Sequence, residues 1–181
     1  SGAYGSHIYM VSHQRGLGIN YWITTGNEAD ISVSEAIQFL AEDEKVHTIM
    51  AYVESVKDGK MFTKALDTAR QEKKPVILMK VGRSDVGAAA ANSHTASLAG
   101  EDAIYSEVIR AHGAYRVRST EEMLDVAYAT KPRIYPSGKN LGIVTISGGG
   151  GVLMADAAYD EGLNVKPMPK EAQQNLKKIV P

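Results

Sequence analysis

The sequence predicts an α/β protein built on a mainly parallel sheet. Three observations point there. Short apolar runs rich in β-branched residues recur along the chain, stretches with helical spacing separate them, and several runs are continuously apolar, as strands buried on both faces are. With 181 residues there is room for one domain, or for one domain and part of a second.

Taken in order, the predicted strands are Gly18 to Thr24 (GINYWIT), Val46 to Val53 (VHTIMAYV), Pro75 to Val81 (PVILMKV), Ala114 to Val117 (AYRV) and Leu141 to Ile146 (LGIVTI). Between them, Ser34 to Asp43 sets Ile37, Leu40 and Ala41 on one helical face. Phe62, Ala65, Leu66 and Ala69 repeat the i, i+3, i+4, i+7 stripe. Glu101 to His112, Thr120 to Ala129 and Val152 to Glu161 complete the helices, with Ser119, Thr120 and Glu122 as capping residues of the second. The stretch TKPRIYPSGKN (Thr130 to Asn140) has two prolines, a glycine and no periodicity, and reads as a linker. The expected organisation is therefore an α/β domain over 1–130, a linker over 131–140, and the opening of a second unit over 141–181.

Composition excludes several function classes. Twenty Lys and Arg against 21 Asp and Glu leave a net charge of −1, which does not suit a strongly basic nucleic-acid binder. No stretch approaches the roughly 18 apolar residues of a membrane span. The absence of cysteine rules out disulfides, thiolate catalysis and Cys-ligated zinc. With no signal peptide visible, it leads us to expect a cytoplasmic protein. No H-x-x-x-H pair is present and no carboxylates cluster with histidines at ligand spacing, so no metal site is expected.

Three segments carry possible chemistry. Ser147-Gly148-Gly149-Gly150-Gly151 follows a predicted strand and opens a helix, so its amides can approach an anion; the same glycines also suit an ordinary turn. The stretch lacks both the P-loop ending and G-x-G-x-x-G spacing. Lys80-Val81-Gly82-Arg83-Ser84 ends a strand in two cations at the edge where open α/β sheets bind ligands, and reads equally as solvated side chains before a helix cap. His94 lies among small residues in AAAANSHTASLAG. A neutral imidazole is a competent nucleophile toward phosphorus, and a carboxylate on its other nitrogen fixes the tautomer. Glu54, closing the strand VHTIMAYVE, is the candidate partner.

Together SGAYGSHI, TTGNEADIS (Thr24 to Ser32), YVESVKDGKMF (Tyr52 to Phe62), PVILMKVGRSDVGAAAANSHTASLAG (Pro75 to Gly100) and IVTISGGGGVLMADAAYDEGL (Ile143 to Leu163) resemble the NDP-forming acyl-CoA synthetases, relatives of succinyl-CoA synthetase. The resemblance implies a flavodoxin-like domain bearing a phosphohistidine, followed by the opening of a second flavodoxin-like domain. It implies a relay in which acyl-CoA and phosphate give an acyl phosphate, the phosphoryl group moves to histidine, and NDP accepts it. By motif match His94 is the phosphorylated residue and Glu54 the acid that positions it, with Gly26, Asn27 and Ser147 to Gly151 as candidates for an amide cradle. CoA and ATP or ADP with Mg²⁺ would be substrates of the full-length enzyme, with none held tightly by this fragment. The implied partners are an upstream CoA-binding Rossmann domain, an ATP-grasp domain or subunit, a small carboxylic acid and, in an oligomer, further copies of the chain.

Two positions depart from the family pattern, which usually has glycine where this chain has Ala96 and often where it has Ser55. The family also places a hydrophobic strand directly before Ser1-Gly2. Leu141 to Ile146 leads into a similar serine-glycine turn, so we expect it to fill that position, in cis or by exchange between chains. Two rival readings stand beside it. One is a non-catalytic acyl-CoA-sensing or regulatory domain, against which the retained His94 and Glu54 stand. The other is an FMN-binding flavodoxin-like domain, which lacks aromatics placed for stacking.

Overall fold

The computed structural model describes residues 2–84, 86–90 and 102–179. Its contacts divide the chain into two compact units, 1–133 and 134–181.

The first unit is organised by three parallel strands, β1 (Ile49–Val53), β2 (Val76–Lys80) and β3 (Tyr115–Arg116), in the order β1-β2-β3. Ile49 pairs with Val76 and Val53 with Lys80, while Ile77 and Leu78 pair with Tyr115 and Arg116. β2 is central and buried at all five positions, which is why its sequence shows no polar alternation. Its side chains nevertheless divide by period two. Val76 and Leu78 join a core with Ile37, Phe62, Leu66 and Ile109, whereas Ile77 and Met79 join another with Ile8, Val117, Met123 and Leu124. Helices Val33–Glu42, Gly59–Gln71 and Asp102–Ala111 supply the first core, and Gly2–Gln14 and Thr120–Thr130 the second.

Local chemistry sets the helix starts. Ser32 and Glu35 form a reciprocal capping box at Val33–Glu42. Asp58 accepts the amides of Lys60 and Met61 at 2.9 and 3.0 Å, and Ser119 accepts that of Glu122 at 3.1 Å.

One expected strand is not realised. Residues 18–24 make no ladder; the segment is held instead by side chains, with Asn20 donating to the Lys45 carbonyl at 2.7 Å and Tyr21 to the Asp43 carboxylate at 2.6 Å. An apolar cleft of about 400 Å³, lined by Ile19, Trp22, Ile23, Met50 and Tyr52, adjoins this segment and β1. β-propensity alone does not make a strand where no neighbouring backbone supplies hydrogen bonds.

The second unit is a small parallel βαβ arrangement. β4 (Asn140–Leu141) pairs with β5 (Asn164–Val165), and the helix Gly148–Asp160 joins them; a short helix, Lys170–Leu176, follows. The predicted strand Leu141 to Ile146 is thus shortened to its first residue, and its ladder lies in a separate two-stranded sheet. Insertion of this segment in cis into the first unit's sheet is overturned. Ala158 is the one buried side chain among the described residues of this unit, and Val144, Leu153 and Tyr159 are 87%, 71% and 82% exposed. Two strands and one long helix do not enclose a core.

Candidate functional site

A cluster of polar side chains lies at the carboxyl end of the sheet. Glu54 follows the last residue of β1 and is half-buried. Beside it a small pocket of about 30 Å³ is lined by Gly26, Asn27, Glu28, Glu54, Ser55 and Lys57. The fold therefore brings together three of the residues predicted from sequence, Gly26, Asn27 and Glu54, although 27 to 28 positions separate them along the chain.

The turn before the pocket is tightly specified. Gly26 has φ of +58° and Glu28 +55°, the second a left-handed conformation that costs a residue with a Cβ about 1 kcal/mol or more. No atom lies within 4 Å of a Cβ built on Gly26, so its φ, not crowding, requires glycine. The Glu28 amide donates to the Thr25 carbonyl at 3.0 Å, and the Glu28 carboxylate accepts the Val33 amide at 3.1 Å. Its other oxygen is buried with no hydrogen-bond partner among the described residues. Lys57 Nζ donates to the carbonyls of Asn27 and Glu28 at 2.7 and 2.9 Å.

A second cluster backs Glu54. The Tyr105 hydroxyl accepts the Val56 amide at 3.1 Å. Lys80, 2% exposed at the end of β2, donates to the Val81 carbonyl, and its ammonium sits 4.6 Å from the Tyr105 ring centroid. Arg116 pairs with Asp102 and also donates to the Ser106 hydroxyl. Burial pushes the Lys80 ammonium below its ordinary pKa, with Asp102 and Glu54 opposing and Arg116 assisting. Burial also raises the Tyr52 phenol, helped by the charges of Glu54 and Tyr4.

The remaining predicted residues fall elsewhere. His94, with Ala96, lies outside the described residues. Ser147 to Gly151 belongs to the second unit, where Ser147 caps the helix and accepts the Gly150 amide at 3.2 Å while Thr145 accepts the Ser147 amide at 3.0 Å. Ser147 therefore serves as a cap, and the glycines form the first helical turn. Among the described residues no group of three or more His, Asp or Glu side chains is placed to hold a metal. Nor is any helix among them long and apolar enough to cross a membrane. Glu28, Lys57 and Tyr105 escaped the sequence reasoning about the site, although the first two lie inside the segments TTGNEADIS and YVESVKDGKMF.

A parallel sheet covered on both faces, with an acid and a left-handed glycine turn beside a small pocket at its carboxyl edge, defines a flavodoxin-like α/β domain. Residues 1–130 match the succinyl-CoA ligase like flavodoxin domain, and the chain belongs to that family. It is 39% identical over 167 residues to the alpha subunit of acetate–CoA ligase [ADP-forming] I from Pyrococcus furiosus, covering 91% of this chain and 36% of that protein. Over its whole length it is 36% identical to acetate–CoA ligase [ADP-forming] from Methanocaldococcus jannaschii, spanning 25% of that protein. Among solved structures, the dinucleotide forming acetyl-coenzyme A synthetase 1 of Ca. Korarchaeum cryptofilum, in complex with phosphate and ADP, superposes with a TM-score of 0.90 at 33% identity, covering 100% of this chain and 39% of that one. The chain thus spans between a quarter and two fifths of these relatives.

Proposed function

We propose that this chain is the phosphohistidine-bearing part of an NDP-forming acyl-CoA synthetase, an acid-thiol ligase that interconverts acyl-CoA, NDP and phosphate with carboxylate, CoA and NTP. The observation that carries the reading is the convergence of Gly26, Asn27 and Glu54 on one pocket at the carboxyl edge of the sheet. Its family membership and acetate–CoA ligase relatives support the same chemistry.

In the NTP-forming direction, phosphate oxygen attacks the thioester carbonyl, CoA leaves as the thiol, and an acyl phosphate results. The His94 imidazole then takes the phosphoryl group, releasing the carboxylate. An oxygen of NDP accepts it in turn, giving NTP and free histidine. Such transfers depend on positioning and on stabilising charge. Glu54 would orient the imidazole and stabilise its cationic form, while amides of Gly26 and Asn27 would face phosphoryl oxygens. CoA and Mg-nucleotide would enter on a CoA-binding domain and an ATP-grasp domain or subunit, with a small carboxylic acid as the third substrate. The organisation fits a flavodoxin-like domain followed by the start of another, in a cytoplasmic enzyme.

The test is incubation of the complete synthetase with γ-labelled ATP and Mg²⁺. The expected result is acid-labile, base-stable label on His94 that ADP, or CoA plus a carboxylate, discharges. A protein that binds nucleotide and CoA yet never takes label would overturn the reading in favour of an acyl-CoA sensor.

A further inference from the structure

Two of the segments that carry the family resemblance meet at a single side chain. Lys57 is exposed, yet its ammonium is committed to the carbonyls of Asn27 and Glu28, 30 and 29 residues away, at 2.7 and 2.9 Å. No carboxylate lies within ion-pair distance of it among the described residues. A lysine ammonium is a strongly hydrated point charge, and holding it on two main-chain oxygens needs a rigid frame on both sides. Both sides are rigid here. The backbone around Lys57 is braced by Tyr105, which accepts the Val56 amide, and by Asp58, which caps the next helix. The facing turn is held in its left-handed conformation by the Glu28 carboxylate on Val33.

Resting on the phosphohistidine reading above, we propose that Lys57 is a positioning residue of the phosphoryl-transfer site, locking the Gly26–Asn27 turn at a set distance from Glu54. Its ammonium occupies the carbonyls of the turn on one side, so that the spacing between the turn and the acid three residues before Lys57 does not drift. Holding a reactive constellation to within a fraction of an ångström is the usual work of such supporting contacts.

The experiment uses the complete synthetase with potassium phosphoramidate as phosphoryl donor. The donor's phosphorus–nitrogen bond breaks, ammonia leaves, and a new phosphorus–nitrogen bond forms at the imidazole. Phosphohistidine is followed by ³¹P NMR and assigned to His94 by peptide mapping, with His94→Asn as the blank. Lys57→Met should melt like the parent synthetase but lose about tenfold in maximal labelling rate, given that a misplacement near 1 Å can cost about 10²-fold. The donor concentration for half-maximal rate should hardly change. Lys57→Arg, which keeps donors for two carbonyls, should recover most of the rate, and hydrogen exchange at 26–28 should speed up only in the Met variant. Equal rates for the parent and Lys57→Met, or equal losses in the Met and Arg variants, would overturn the role of Lys57 while leaving the relay standing. A parent synthetase that takes no label on His94 would overturn the relay, and the role of Lys57 with it.

Discussion

The hydroxyl of Tyr105 accepts the backbone amide of Val56 at 3.1 Å, joining the helix Asp102–Ala111 to the loop that follows Glu54 across 49 residues of sequence. Helix packing is thereby linked to the geometry of the candidate site. Tyr105 does this from a half-buried position, with its ring beside the Lys80 ammonium.

Tyr105→Phe keeps the ring and removes the acceptor. The half-buried Val56 amide would then lack its partner, at a cost of about 1 kcal/mol, the lower end of the range for an unsatisfied donor. Urea unfolding should show this as a lower midpoint at unchanged slope.

The sheet and the second unit should respond very differently to truncation. Leu78, 1% exposed at the centre of β2, sits in a core between helices, and Leu78→Ala should cost roughly 2–5 kcal/mol. Leu153, 71% exposed on the helix Gly148–Asp160, should tolerate alanine within about 0.5 kcal/mol. Thermal melts of the two variants test the contrast directly.

Lys80 makes stability depend on alkaline pH. Because burial depresses its pKa below 10.5 in the folded chain, the unfolded chain binds more protons between the two values, and stability rises with pH through that window. Tyr52 acts oppositely above its ordinary value of 10.0, since its neutral form is favoured by folding. Urea midpoints followed at rising alkaline pH, up to the 10.0 above which Tyr52 opposes, should climb for the parent chain and climb less for Lys80→Met.

His94→Asn should abolish phosphoryl incorporation without unfolding the chain, an outcome checked by labelling alongside a thermal melt. Glu54→Gln should slow labelling by roughly 10²-fold, the lower end of what a positioned acid–base side chain contributes. An unchanged rate would take Glu54 out of the mechanism.

Much of the fold was legible because burial writes itself into spacing. The stripe Phe62, Ala65, Leu66, Ala69 is buried as predicted, and the uninterrupted run Val76 to Lys80 is the central strand. The capping role of Ser119 was equally visible, since an N-cap bonds only to its own first turn. The segment GINYWIT misled because its composition suits a strand whether or not a neighbour is present to pair with it. Of the site, Glu54 stands out at the end of its predicted strand and Gly26 and Asn27 through motif resemblance, whereas nothing along the sequence marks Lys57.

The amino-acid sequence by itself determined the alternation of strand and helix, the burial faces, the helix caps and the family, because each depends on contacts within a few residues or on motifs read in a line. Only the tertiary structure decided that residues 18–24 form no ladder, that β4 pairs with β5, and that Lys57 reaches across to Asn27. These depend on which backbones become neighbours once the sheet has formed, and the order of residues along the chain does not state that.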